Sequence, residues 1–314
     1  MTEFTKSILP DTRLSVIVVT HNAREMTLRC LDSILGEIHD FEDEVIVVDN
    51  ASGDEMAREM ANGFSAFRVL PQDANLGFAA AANLGADSAR GQYLLFLNPD
   101  TIMLSGSLDH LLQFAQIRPG AGIWGGLTVY GNGKPNPYSC RRRPTLWSLL
   151  CSALALDTRF PNSPWFAAMG YGGWDRNSER DVDVVCGCFL LVERALWDRL
   201  AGFSPRFYMY GEDEDLCLRA RRIGYSPCFT PEASIIHHGS GTEPRQERKM
   251  SQILASRALL IRGYFPALVR PLATFLLMLR PLLGRRFGKR ALRPLWASVW
   301  AGRQLWLAGR FPQL

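Results

Sequence analysis

The sequence predicts an α/β fold, a mostly parallel sheet with helices on both faces, and three observations carry that prediction. Four short apolar runs, "LSVIVVT" (14–20), "EVIVVD" (44–49), "FRVL" (67–70) and "YLLFLN" (93–98), alternate with segments of helical length. The runs are rich in Val, Ile, Leu and aromatics with little polar alternation, which is how strands buried on both faces read. Finally, 314 residues at 47% hydrophobic and 21% charged supply enough apolar material for one large domain with an appendage, or for two domains.

Between the strands lie "REMTLRCLDSIL", "GDEMAREMANGF" and "GFAAAANLGADSAR", each long enough for the crossover helix that parallel strands require. Residues 131–181 break the rhythm with dense Gly, Asn, Pro, Tyr and Trp, and "CRRRPTLW" interrupts any periodicity, so an irregular insertion is expected there. Order resumes with "VDVVCGCFLLVER" (182–194), a strand leading into a short helix. An acidic cluster, Glu212 to Asp215, then opens a helix that runs to Gly224, and "YSPCFTPEASIIHHGSGT" reads as a short strand pair ending in His237 and His238.

Charge divides the chain. From residue 241 onward there are fourteen Lys/Arg and two Asp/Glu, a tail of +12 on a chain of net +4, which leaves −8 on residues 1–240. Seven scattered cysteines point to reduced thiols rather than a disulfide framework or a zinc site. The N-terminal sequence has no basic segment leading into an apolar one, so a cytoplasmic body is expected. The tail looks membrane-like, yet its longest uncharged stretches, 271–279 and 294–302, are nine residues each, short of the ~20 that a spanning helix needs. Trp296, Trp300 and Leu307 can share a helical face with arginines elsewhere, the pattern of a helix lying in an anionic interface. A helical hairpin packed on the body of the protein or on a dimer partner is the alternative, and nucleic acid is disfavoured by the acidic body and the absence of a binding motif. On the membrane reading, truncation after about residue 250 should release a soluble protein.

In open α/β sheets ligands bind outside the carboxyl ends of the strands, so the residues just after each apolar run matter most. The first strand ends in "THNAR" without the Gly-x-Gly-x-x-Gly of a dinucleotide site, which counts against NAD. The second ends in Asp49, which is either a turn and cap residue or a ligand for a nucleobase and ribose. The fourth ends in "NPDT", placing Asp100 beside Asn98, either a Pro-Asp turn or a carboxylate suited to a hard divalent cation. His237 and His238 are neighbours on one strand, so only one can readily face a site. As for the four carboxylates of 212–215, a first helical turn favours acids, and Asp215 can pair with Arg219 at i+4. Successive helical residues rotate by about 100°, so at least one should turn toward the body of the protein.

Taken in order, "VIVVTHN", "VIVVDNAS", "NLGFAAAAN", "LFLNPDT", "GEDEDLCLR" and "HHGSG" resemble the family 2 glycosyltransferases, most closely their rhamnosyltransferase branch, over residues 14–240. The resemblance implies a GT-A fold, Rossmann-like, with residues 1–240 as catalytic domain, 131–181 as an acceptor-side insertion and 241–314 as a basic amphipathic helical tail. It implies that Thr20 and Asn22 line the nucleotide pocket, that Asp49 holds the base, and that Asn75 and Gly77 sit near the nucleotide or diphosphate. Asp100 stands for the last carboxylate of the family's Asp-x-Asp metal motif, with Asn98 where the first Asp often lies, and His237 completes a site for Mg²⁺ or Mn²⁺. Asp213 matches the catalytic base, with Glu212 beside it.

The reaction so implied is an inverting, metal-dependent transfer of a sugar, L-rhamnose from dTDP-rhamnose, to a lipid-linked or polysaccharide acceptor in cell-envelope glycan synthesis. The enzyme would be cytoplasmic and peripheral at the inner face of the plasma membrane. Two alternatives stay open: a galactofuranosyl or hexosyl transferase of the same fold using a UDP-sugar, and a non-catalytic glycan-binding protein.

Overall fold

The computed structural model describes residues 13–38, 43–53, 67–239 and 246–311. All but the first residue of the expected crossover helix "GDEMAREMANGF", and the 240/241 boundary, lie outside the described residues. The first strands form where the apolar runs predict: β1 (Leu14–Thr20), β2 (Glu44–Asp49), β3 (Phe67–Pro71) and β4 (Tyr93–Leu97). All seven residues of β1 are buried, as expected of a strand covered on both faces. They pair in parallel in the order β3-β2-β1-β4, with α1 (Arg24–Leu35) and α2 (Phe78–Ser88) among the connections.

Beyond β4 the sheet becomes mixed. β5 (Thr101–Met103), α3 (Ser107–Ile117) and β6 (Ile123–Val129) precede the insertion, which contains β7 (Cys140–Arg141), α4 (Leu146–Ala153), α5 (Leu156–Arg159) and β8 (Arg180–Asp181). β9 (Val184–Val185) pairs with β7 in a separate two-stranded sheet. β10 (Phe189–Glu193) runs antiparallel to both β4 and β6, and the short helix α6 (Arg194–Arg199) follows it. Then come α7 (Glu212–Arg222) and β11 (Cys228–His237), which is parallel to β6 and antiparallel to β5 and β8. The main path is thus β3-β2-β1-β4-β10-β6-β11-β5. The expected strand pair at 225–237 is one strand: a register shift between Thr230 and Ser234 absorbs Pro231, so the proline marks a bulge and not a turn.

Two apolar layers sandwich the sheet. α1 and α3 bury Cys30, Leu31, Ile34, Leu111 and Phe114 against one face, while α2, α6 and α7 bury Ala79, Ala82, Leu196, Trp197 and Leu216 against the other. The alanines of α2 let its backbone approach closely, as side chains of one carbon must.

The tail forms a third core. α8 (Gln246–Tyr264), α9 (Arg270–Phe287), α10 (Arg293–Ala301) and α11 (Arg303–Leu307) bury Leu254, Ala258, Ile261, Leu276, Leu277 and Val299 together with Leu149 of α4. Trp296 is buried in this core rather than displayed on an outer face, and Arg280 lies over its ring while donating to the Ser152 carbonyl at 2.8 Å. Leu259 and Leu260 pack with Phe207 and Leu218 of the α/β body. The Trp296 face is therefore corrected: helix–helix packing, which needs a continuous apolar seam, consumes it. The apolar side chains left in solvent are others, among them Leu268 at 93% and Phe287 at 71% exposure. Ala267–Phe287 is also long and apolar enough to cross a membrane by length and composition, which the uncharged stretches alone do not suggest. Its Ala273, Leu276 and Leu277 are buried.

Candidate active site

The acidic cluster starts α7, and all four carboxylates are buried, Glu214 to 1% exposure. Gly211 makes this possible. It caps α7 in a left-handed conformation (φ 87°), and a β-carbon there would lie 3.0 Å from Ser256 Cβ, so the helix start presses against α8. Arginines from three parts of the chain then meet the acids. Arg141 of the insertion donates through Nη2 to both oxygens of Asp213 at 2.9 Å. Arg257 of α8 donates through Nη1 to both oxygens of Glu214 at 3.0 Å. Arg219 donates through Nε to Asp215 at 2.7 Å, the i+4 pair read from the sequence, and the Tyr264 hydroxyl donates to the other Asp215 oxygen at 2.7 Å. Burial works against the charge of Arg141, but Asp213 and Glu214 outweigh it and raise its pKa above the usual arginine value. Glu212 differs: burial and the neighbouring Asp213 charge push its carboxyl up to about 8.

One cavity gathers the ends of β1 and β4, the C-terminal residue of β11, the start of α7 and one face of α8. Thr20, Asn75, Asn98, Glu212, Asp213 and His237 line it. At its floor Asn50 donates to Asn75 Oδ1 at 3.0 Å, and the same oxygen accepts from the Tyr208 hydroxyl at 2.9 Å. Gly77 packs beneath Tyr208: its φ is 82°, and a β-carbon would meet the Tyr208 ring at 2.5 Å. Gly77 therefore shapes the wall without lining it.

Two expected nucleotide residues stand elsewhere. Asn22 is exposed, with φ 51°, and its Oδ1 accepts from Gly53 N at 2.8 Å, so it braces the loop after β2 while His21 lines the cavity. Asp49 is 4% exposed and accepts from Ser52 N at 3.1 Å, a turn contact, and its neighbour Asn50 faces the cavity. In both cases the adjacent residue takes the inward direction.

Asp100 sits behind His237, whose Nε2 is 3.3 Å from Asp100 Oδ1. Burial alone would lower the His237 pKa, but the hydrogen bond and charge of Asp100 raise it above the ordinary value. Burial alone would raise Asp100, yet His237 holds it below the usual carboxylate range. His238 is exposed, and its backbone N–H donates to the Asp100 carbonyl at 3.0 Å. Among the described residues no group of three or more His, Cys, Asp or Glu forms a closed metal cluster. Asn98 and His237 line the cavity and Asp100 contacts His237 from behind, a carboxylate, an imidazole and an amide of the donor types that suit Mg²⁺ or Mn²⁺, ions that draw their remaining ligands from phosphate oxygens and water.

Several lining residues carry no sequence signal of their own. Arg141, Cys186, Gly187, Cys188, Arg248 and Gln252 reach the cavity from the insertion, the turn before β10 and α8. From the sequence, "CRRRPTLW" reads only as a break in periodicity, and its three arginines do not single out Arg141. Cys188 Sγ lies 3.4 Å from Cys186 Sγ, and its hydrogen bond lowers the Cys186 thiol to about 7 against the effect of burial.

The model of glycosyl transferase family 2 matches residues 15–200, well over half of the chain. The chain belongs to glycosyl transferase family 2. This glycosyltransferase is 31% identical over 214 residues to the N-acetylglucosaminyl-diphospho-decaprenol L-rhamnosyltransferase of Mycobacterium tuberculosis, covering 64% of this chain and 69% of that one. It is 29% identical over 154 residues to the rhamnosyltransferase WbbL of Escherichia coli, covering 48% and 53%. The mannosyltransferase PcManGT of Pyrobaculum calidifontis, solved with GDP-Man and Mn²⁺, superposes with a TM-score of 0.57 at 18% identity over 94% of this chain and 87% of that one. The GT-A fold of this glycosyltransferase, with helices on both sides of a mixed sheet, follows from that superposition and the topology above.

Proposed function

We propose that this glycosyltransferase moves L-rhamnose from dTDP-rhamnose to a lipid-linked or polysaccharide acceptor, with inversion, in cell-envelope glycan synthesis. The observation that carries the reading is the single cavity that unites the nucleotide-side strand ends with the buried carboxylates of α7. Similarity to proteins named as rhamnosyltransferases supports the sugar. The donor lies with its base toward Thr20 and Asn50 and its diphosphate toward Asn98 and His237. The acceptor enters past the insertion, and its hydroxyl oxygen attacks the anomeric carbon opposite the departing diphosphate. The proton of that hydroxyl goes to the Glu212/Asp213 pair. No covalent enzyme intermediate forms. Asp100 and His237 would hold Mg²⁺ or Mn²⁺, which would supply positive charge to stabilise the leaving diphosphate.

The enzyme works at the cytoplasmic face of the membrane. Arg285, Arg286, Lys289, Arg290 and Arg293 are exposed within nine residues, beside the exposed Phe287 and Leu292, a combination of cations and apolar side chains that suits an anionic leaflet. The donor is tested by release of nucleoside diphosphate across dTDP-, UDP- and GDP-sugars. Turnover confined to dTDP-rhamnose supports the reading, and turnover confined to a UDP-hexose or UDP-galactofuranose replaces it with the other transfer.

A further inference from the structure

Two of the cysteines share the cavity wall, and their sulfurs nearly touch. Cys30, Cys140, Cys151, Cys217 and Cys228 are buried and do not line the cavity, whereas Cys186 and Cys188 do. These two flank Gly187 in a tight turn, closed by Phe189 N donating to the Cys186 carbonyl at 3.2 Å. The turn brings the Sγ atoms to 3.4 Å; a disulfide measures about 2.05 Å, so a bond needs them to approach by only about 1.4 Å. Cys186 is half-buried and Cys188 is 3% exposed, so a solute in the cavity meets Cys186 more readily. The same turn is seated on the start of α7. Gly187 N donates to Asp213 Oδ2 at 3.0 Å, and a β-carbon on Gly187 would lie 3.3 Å from Asp213 Cβ. Asn98 N donates to the Cys188 carbonyl at 3.3 Å, which ties the turn to the end of β4 as well. The oxidation state of the two thiols and the position of Asp213 therefore depend on one short piece of backbone.

We propose that Cys186 and Cys188 form a redox modification site: hydrogen peroxide converts the pair to a disulfide, which draws Gly187 N away from Asp213 and slows transfer until a dithiol restores the thiols. The Cys186 sulfur attacks one peroxide oxygen. An S–O bond forms, the O–O bond breaks, and the departing hydroxide takes the thiol proton to leave as water, with Cys186 oxidised to a sulfenic acid. The Cys188 sulfur then attacks the Cys186 sulfur. The S–S bond forms as the S–O bond breaks, and hydroxide leaves with the Cys188 proton as a second water. Two thiols have then lost two electrons to one peroxide, which is reduced to two waters. A dithiol returns two electrons and two protons, itself becoming a disulfide. Free thiols are the resting state, and disulfides that form in a reducing compartment are usually transient and regulatory. The site does not depend on which sugar is transferred; only its effect on turnover rests on the transferase reading.

The test exposes the wild type, Cys188→Ser and the double variant Cys186→Ser/Cys188→Ser to hydrogen peroxide, removes the excess with catalase and divides each sample. One part is alkylated with iodoacetamide and digested; the other is assayed for nucleoside diphosphate release before and after dithiothreitol. The tryptic peptide 181–194 holds both cysteines, so the disulfide appears as that peptide unalkylated and lighter by two hydrogens. In the wild type kcat should fall by about tenfold or more, the scale of one lost hydrogen bond to a charged group. The fall should keep step with the oxidised peptide, and dithiothreitol should reverse both. Cys188→Ser should retain a sulfenic acid at Cys186 that dimedone captures. The double variant, measured against its own untreated rate, should not lose activity under the same exposure. A wild-type peptide still alkylated at both cysteines overturns the proposal. So does a disulfide that leaves kcat within a few-fold of the reduced enzyme, or a double variant inactivated as fast as the wild type. A wild type that turns over no donor overturns the transfer reading alone, and the peptide then still decides the site.

Discussion

Replacing Arg257 with Met should destabilise the whole protein, although residue 257 lies in the basic tail. Arg257 Nη1 reaches both Glu214 oxygens at 3.0 Å, and the Glu214 side chain is 1% exposed, so water cannot replace the lost partner. Removing one member of a buried ion pair costs about 3–5 kcal/mol. Arg141 lies 3.8 Å from Glu214 and retains part of the compensation, which places the cost near ~3 kcal/mol. At roughly 2 °C per kcal/mol for a chain of this size, the melting temperature should fall by about 6 °C. Adding Glu214→Gln to Arg257→Met should recover most of the loss, because the orphaned charge is what destabilises. The pair of single variants and the double variant form a mutant cycle read by thermal melts and urea titration. An Arg257→Met melting point equal to the wild type, or a double variant no better than the single, would refute the reasoning. The same contacts change the expectation for truncation after about residue 250. That cut removes Arg257 from Glu214, Tyr264 from Asp215 and Leu259 from the core with Phe207, so it should yield an unstable protein and not a soluble catalytic domain.

Three further outcomes are expected. Because Glu212 holds its proton up to about pH 8 when folded but only to about 4.5 in its ordinary state, its contribution to stability is complete below pH 4.5 and is lost as pH rises to 8. Glu212→Gln should therefore gain on the wild type across that window by up to about 1.4 kcal/mol per pH unit, and parallel stability curves would remove the buried proton. EDTA should abolish transfer and Mg²⁺ or Mn²⁺ restore it, with Asp100→Ala and His237→Ala raising the metal concentration needed; full activity in chelator would exclude the metal role. Vesicles containing anionic lipid should sediment the protein, and changing Arg285, Arg286, Lys289, Arg290 and Arg293 to Gln should cost about 1 kcal/mol of binding for each charge; equal binding by that variant would separate the patch from the membrane.

The parts of the fold that could be read from the sequence are those where burial on both faces imposes a composition. β1, β2 and β4 are such strands, and their apolar runs locate them to within a residue. β11 misled because Pro231 carries the local signature of a turn, whereas the register shift beside it is a property of the pairing with β6. In the site, motif order brought Thr20, Asn75, Asn98, Glu212, Asp213 and His237 to one cavity wall. Side-chain direction was less legible: Asn22 and Asp49 yield to His21 and Asn50, because one residue of slip at a strand end reverses the facing side. Arg141 and Arg257 were out of reach for another reason. They meet their carboxylates across 72 and 43 residues, and no spacing rule encodes a pairing that only the folded chain creates.

The opposite charges of body and tail have a cause beyond a choice of partners. Four adjacent acids at a helix start need nearby cations if they are to be buried, and the body supplies two of the three arginines that meet them, Arg141 and Arg219. The tail supplies one directly through Arg257, and through Tyr264 it adds a hydroxyl to a second acid. Its positive charge is consequently split. Arg257 faces Glu214 of α7, Arg280 is spent on the Ser152 carbonyl and the Trp296 ring, and the run from Arg285 to Arg293 is exposed. The part of the tail that reaches solvent and the part that braces α7 are joined through one helical core, with Leu254 and Ile261 of α8 in the same cluster as Leu276 of α9 and Val299 of α10. A surface that bound the outer cations would therefore hold a tail whose helical core also carries the Arg257 contact to Glu214, and Arg141 in turn contacts both Glu214 and Asp213. Anchoring and catalysis need not be separate properties of separable domains in this chain, since the residues that would link them are in contact.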